Sequence, residues 1–197
     1  LPALFISTEL ELSEVQTMCL AFLSNVDESH ILMNKYDLGE KERVVEAARI
    51  LSEAPLYIEE VPDFSLRDIE NIIKRNIRTR GCKYVFYDYI HTSMKILEEI
   101  SQRSGGVRLR EDNILFLLSV KLKDICNEFG VFILSSTQLN QDWKSSEMPD
   151  QNLLRGAKSI ADKIDCGMIL LDVTDEDLKA LEGILKKDGL PTPNVKM

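Results

Sequence analysis

Runs of consecutive apolar residues alternate along this chain with longer stretches whose apolar positions recur every third or fourth residue. The runs read as strands and the periodic stretches as helices. The first run covers residues 3–8. Behind it, Val15, Met18, Cys19, Phe22 and Leu23 share one helical face, with Ser13 as the expected N-cap and Gln16 completing a capping box. A second helix is predicted at about 39–52 through Val44, Val45, Ala48 and Leu51, and a short strand at 56–60. Ser65 and Asp68 open a helix that presents Ile69, Ile72, Ile73 and Ile77 before Gly81 stops it. An apolar and aromatic run, 84–89, is the next strand. The longest helix is expected at about 110–129, closed by Gly130, and leads into a strand at 131–137. A short helix at 158–164 and a final strong strand at 168–173 complete the series. Polar segments at 101–106 and 140–152 read as loops, the first with a composition suited to mobility.

Alternating strands and helices define an α/β fold with a mainly parallel sheet flanked by helices. The 197 residues fit one domain, and 44% hydrophobic with 29% charged residues is ordinary for a soluble globular chain. No run has the length of a membrane span, so no membrane partner is expected. Cys19, Cys82, Cys126 and Cys166 are scattered without metal-ligand spacing and read as reduced thiols of a cytoplasmic protein. The net charge of −9 argues against a broad basic face that coats nucleic acid, though not against a grip through a few loops. His30 and His91 are the only histidines, too few for a histidine-based metal centre and poorly suited to a serine hydrolase.

Candidate chemistry gathers at the strand ends. Glu9 follows the first strand, Asp88 ends the strand in the 84–89 run, and Gln138 follows the strand at 131–137. In a parallel sheet these ends share the edge where open α/β sheets bind ligands. A buried strand delivering one acid there is the Walker B arrangement, in which the carboxylate holds Mg²⁺ beside a nucleotide. Hydrolysis of a nucleoside triphosphate would use a second carboxylate on water and an amide near the γ-phosphate. Each residue also has a plain reading: Asp88 as a turn former, Glu9 as a solvated turn acid, Gln138 as loop polarity. Trp143 is suited equally to base stacking or to covering an apolar patch. The basic run at 74–80, near a helix end, is expected to complement the helix dipole and face water rather than DNA.

Four motifs carry a resemblance. Phe-Ile-Ser-Thr-Glu-Leu at 5–10, Val-Phe-Tyr-Asp-Tyr-Ile at 85–90, Leu-Ser-Ser-Thr-Gln-Leu-Asn at 134–140 and Leu-Arg-Gly-Ala-Lys-Ser-Ile-Ala-Asp at 154–162 occur in order. They resemble successive motifs of the RecA-like motor domain of DnaB-type replicative helicases, across nearly the whole chain. The resemblance implies a RecA-like P-loop NTPase fold, here truncated, with residues 1–197 as part of that ATPase domain. It implies Glu9 as the catalytic glutamate, Asp88 as the Walker B aspartate holding Mg²⁺ through water, and Gln138 as the link between phosphate state and DNA-facing loops. Arg155, Lys158 and Ser159 fall in a segment similar to a central-channel loop on the single-stranded DNA backbone, although they could equally be a solvated helix start. ATP and Mg²⁺ are the implied cofactors. A homo-hexamer on single-stranded DNA, with a helicase loader or primase as further partner, is the implied assembly.

Departures from the pattern shape the expectation. No GxxxxGKS/T occurs, and the family places that phosphate loop before its first strand here and an arginine-finger strand after the last. His91 stands where the family often has glutamine, and Gln141 where arginine is common. These features point to an interior piece of a divergent, phage- or mobile-element-like member that binds nucleotide poorly by itself and hydrolyses essentially none. As a piece it is expected to be a monomer or weak dimer. A RecA-like recombination or repair ATPase is one alternative, and a non-catalytic module that interacts with a helicase is another.

Overall fold

The computed structural model describes residues 1–103, 110–138, 158–188 and 192–196. Four parallel strands, β1 (Ala3–Ser7), β2 (Leu56–Glu60), β3 (Tyr84–Asp88) and β4 (Phe132–Ser135), form one sheet in the order β2-β1-β3-β4. Ser7 pairs in register with both Glu60 and Asp88, and Tyr87 with Ser135. The C-terminal ends of all four strands therefore lie along one edge.

Alternation along the strands divides the sheet into two unlike faces. Leu4, Ile6, Val85 and Tyr87 point into the core, where they meet Ile69 and Ile73 of α4 (Leu66–Arg80), Ile96 of α5 (Met94–Arg103), and Ile114, Leu118 and Ile125 of α6 (Glu111–Phe129). On the opposite face Phe5 and Phe86 stack with centroids 6.5 Å apart, while Tyr84, Phe132 and Leu134 are exposed. The continuous apolar runs suit strands covered on both sides, yet among the described residues only the α4–α6 face is fully covered.

Local chemistry explains most boundaries. Ser65 caps α4 with its hydroxyl on the Asp68 N–H, and Asp68 returns the bond to Ser65. Gly81 and Gly130 close α4 and α6 in the left-handed conformation at φ 67° and 60°, which glycine adopts without a side-chain penalty. The helix α1 (Leu12–Ser24) corrects one expectation: its cap is Glu11, boxed with Glu14, rather than Ser13. The carboxylate of Glu60 fixes this start by accepting the Leu12 N–H at 2.9 Å. Helix α3 (Glu40–Glu53) packs on α1 and buries Val44 and Ala47, joined through the short α2 (Glu28–Met33). The expected apolar face of α1 is only partly used: Val15 is buried, but Met18 and Phe22 are 50% and 85% exposed.

The last expected strand is also corrected. Only Leu171–Asp172 is extended (β5), and it pairs antiparallel with β6 (Val195–Lys196) outside the parallel sheet, after the short α7 (Lys158–Ala161). Met168 and Leu170 are exposed, so this run lacks the two-sided burial that its composition called for. Helix α8 (Asp175–Asp188) separates β5 from β6.

Candidate functional site at the sheet edge

The loop leaving β1 is shaped by Ser7, whose buried hydroxyl donates to the Leu10 carbonyl at 2.7 Å and accepts the Leu10 N–H at 3.1 Å. This tight staple presents Glu9 outward, exposed at the sheet edge. Thr8, buried, laces β1 to β3. Its N–H and its hydroxyl both donate to the Asp88 carbonyl, at 2.9 and 2.7 Å. The same hydroxyl accepts the Tyr89 N–H at 3.2 Å and lies 2.9 Å from His91 Nε2. The Asp88–Tyr89 peptide bond is cis.

Strand β4 is tied to the same point. Ser135 Oγ donates to the Tyr87 carbonyl at 2.7 Å, Ser136 Oγ to Asp88 Oδ1 at 3.3 Å, and the Ile90 N–H to the Ser136 carbonyl at 2.9 Å. Tyr89 then brings the separate ends together. Its hydroxyl donates to Glu9 Oε1 at 2.8 Å and accepts from Gln138 Nε2 at 3.4 Å. Glu9 and Gln138, 129 positions apart in sequence, thus meet at one oxygen atom, in the residue next to Asp88.

A cleft of about 190 Å³ opens beside this cluster, lined among others by Tyr89, His91, Glu111, Thr137 and Gln138. Glu9 and Asp88 stand outside its lining. Among the described residues no lysine or arginine is paired with either acid, and Asp88 is half-buried, its carboxylate accepting from the Ser136 hydroxyl while Thr8 bonds its backbone carbonyl. A carboxylate and a hydroxyl are both hard oxygen donors of the kind Mg²⁺ takes, so the chemistry of Asp88 with Ser136 is compatible with a metal-holding acid.

Of the other sequence candidates, Arg155 and Trp143 lie outside the described residues, as do Gln141, residues 104–106 and the 140–152 loop, while residues 101–103, expected as loop, are the last turn of α5. Lys158 and Ser159 open α7, and their side chains are likewise outside. The basic run of α4 is spent within the fold: Lys74 pairs with Glu70 at 2.8 Å and Glu128 at 3.3 Å, Arg75 with Glu59 at 2.8 Å. Arg80 lies over the Tyr57 ring at 4.3 Å. Sequence reasoning passed over Tyr89, Thr8 and Ser136. The signal for Tyr89 was its place, the first residue beyond the strand that ends in Asp88.

Away from the edge, His30 Nδ1 lies 2.8 Å from Glu40 Oε2. His30, Asp37 and Glu40 bring one ligand atom each within 4.8 Å, a group that could hold a metal ion. The bond to Glu40 raises the His30 pKa, and the Asp37 N–H, with His30, lowers that of Glu40.

A parallel α/β sheet whose C-terminal edge gathers two carboxylates, an amide and several hydroxyls belongs to the class that binds ligands at that edge. The chain is a member of the family described as the DnaB-like helicase C terminal domain, which matches residues 1–187. It is 44% identical over 193 residues to the SPbeta prophage-derived uncharacterized protein YorI of Bacillus subtilis (strain 168), covering 96% of this chain and 38% of that protein. To the replicative DNA helicase DnaB of Leifsonia xyli subsp. xyli it is 26% identical over 174 residues, covering 86% of this chain and 36% of the relative. The chain thus spans well under half the length of these curated relatives. Among solved structures, a DnaB-like replicative helicase studied for its interactions with primase superposes with a TM-score of 0.71 at 15% identity, over 89% of this chain and 42% of that one. A second solved structure, of an ATPase domain, superposes equally well, with a TM-score of 0.71 at 15% identity over 89% of this chain and 60% of that one. The fold is therefore RecA-like. No described helix is long and apolar enough to cross a membrane.

Proposed function

We propose that residues 1–197 are part of the ATPase domain of a cytoplasmic, ATP-driven DNA helicase that couples hydrolysis to movement on single-stranded DNA and to duplex unwinding. The observation that carries this reading is the meeting of Glu9 and Gln138 at the Tyr89 hydroxyl, beside Asp88, on the ligand edge of the sheet. Bound ATP with Mg²⁺ supplies the phosphoanhydride to be cleaved and the charge that steadies it. Glu9 orients the attacking water and takes its proton. Asp88 holds the metal's water shell at the end of β3, and Ser136 orients that carboxylate. Gln138 reports the phosphate state to the segment beyond it. In this reading Arg155, Lys158 and Ser159 contact the DNA backbone without regard to sequence. The phosphate-cradling loop and the arginine finger come from outside these residues, the working assembly is a homo-hexamer, and a loader or primase is the expected further partner.

The test is DNA-stimulated ATP hydrolysis by the full-length protein that carries this segment. Glu9→Gln should lower kcat by about a hundredfold or more, the usual weight of a general base, with ATP binding retained. The 197-residue chain alone should turn over no ATP. Mg²⁺-dependent turnover by that isolated chain, or an unimpaired Glu9→Gln protein, overturns the reading.

A further inference from the structure

Among the described residues, the Tyr89 side chain touches both of the groups assigned to water activation and phosphate sensing. A phenol has one O–H to give and lone pairs to receive. At Tyr89 the polarity is consistent: the O–H goes to the Glu9 carboxylate at 2.8 Å, and the Gln138 amide gives an N–H to the same oxygen at 3.4 Å. The bond to a charged acceptor is the strong one of the pair. The longer one is at the limit of a hydrogen bond, so a small displacement of Gln138 makes or breaks it.

The ring itself is held from several sides. Its backbone N–H is bonded to Thr8 Oγ1 at 3.2 Å, which fixes it to the end of β1. The ring packs against His91, with centroids 4.9 Å apart and planes at 41°. His91 is in turn braced by Thr8 through Nε2 and by the Thr92 carbonyl through Nδ1. Both partners of this fixed mount are exposed, and Gln138 holds it by the longer bond. Gln138 is the last described residue before the segment that leads toward Arg155.

We propose that Tyr89 is a positioning residue: its hydroxyl passes the placement of Gln138 to Glu9, so that contact made beyond residue 138 sets the aim of the water-activating carboxylate. This rests on the helicase reading above. It predicts that the phenolic oxygen, rather than the ring, is needed for stimulation by DNA.

The experiment compares wild type, Tyr89→Phe, Gln138→Glu and the double variant of the full-length protein, with kcat and the KM for ATP measured with and without single-stranded oligonucleotide. Tyr89→Phe keeps the ring and removes the bridge. It should cut DNA-stimulated kcat about tenfold, the effect of one lost hydrogen bond to a charged group, with KM within about twofold of wild type. Gln138→Glu keeps the side chain's size, replaces the donor and adds a charge beside Glu9, so it should lose at least as much even if the phenylalanine variant folds poorly. The double variant should be no worse than the poorer single, as expected for two groups acting through one contact. Multiplying losses, or a Tyr89→Phe rate within twofold of wild type under DNA stimulation, overturns the relay while leaving the helicase reading standing. A wild-type protein without DNA-stimulated hydrolysis sinks both.

Discussion

Replacing Tyr87 with phenylalanine should make this domain more stable. Tyr87 is 1% exposed, and its hydroxyl finds no hydrogen-bond partner among the described residues. Burial alone pushes the phenol pKa far above its ordinary value. A buried hydroxyl left without a partner costs about 1–3 kcal/mol of desolvation. Removing it forfeits only the contacts of one oxygen, each worth about 0.1–0.2 kcal/mol. The ring's edge-on packing against Phe64, with centroids 6.2 Å apart at 90°, is kept. The net gain is about 1 kcal/mol, or about 2–4 °C in Tm for a domain of this size. Urea denaturation of the isolated chain should show a higher midpoint with an unchanged slope. Tyr87→Leu, which also loses the ring contact, should fall below wild type. A Tyr87→Phe variant less stable by about 1 kcal/mol or more would refute the reasoning, because the hydroxyl would then be bonded in solution.

Two further predictions concern local networks. Thr8→Val removes the hydroxyl that joins the Asp88 carbonyl, the Tyr89 N–H and His91. It should cost about 1–3 kcal/mol in chemical denaturation, most of which Thr8→Ser should restore; a neutral Thr8→Val would show that the lacing is dispensable. For His30, the bond to Glu40 raises the folded pKa above the ordinary 6.5. The fold therefore favours the protonated ring, so its stabilising contribution is complete below about 6.5 and is lost as pH rises through the higher folded value. An NMR titration of the His30 imidazole should show the raised midpoint, and Glu40→Gln should return it toward 6.5; an unmoved midpoint would assign the shift elsewhere.

Where an element's limits depend on its own residues, the chain could be read directly. Ser65, Asp68 and Gly81 marked both ends of α4 because capping is local chemistry. The start of α1 escaped because Glu60, 48 positions away, accepts the Leu12 N–H, and Glu11 with Glu14 forms the box that Ser13 and Gln16 were expected to make. The 168–173 run was strand-like in composition, but strand length is set by a partner, and only Leu171 and Asp172 find one. No prediction covered α2, α5 or α8: α2 has only six residues, whereas α5 did carry a readable signal, Ile96 and Ile100 standing four apart on its buried face. At the site, the shared edge of Glu9, Asp88 and Gln138 followed from parallel topology. The convergence on Tyr89 did not, since contacts across 80 and 49 positions depend on the paths of two loops.

Among the described residues one side of the sheet is incompletely covered, and this bears on how the chain behaves among its own copies. Phe132, at 57% exposure, stands with Leu134 and Tyr84 as an oily patch on β3 and β4, the latter the outermost strand among the described residues, the kind of surface on which proteins adhere to one another. What keeps copies apart is their common net charge of −9. Dissolved ions screen that repulsion beyond about 10 Å at 0.1 M and beyond about 3 Å at 1 M, while sulfate-type salts strengthen apolar adhesion. Colloidal stability is thus greatest in dilute electrolyte, and concentrated salting agents turn the patch from a tolerated exposure into a contact between molecules.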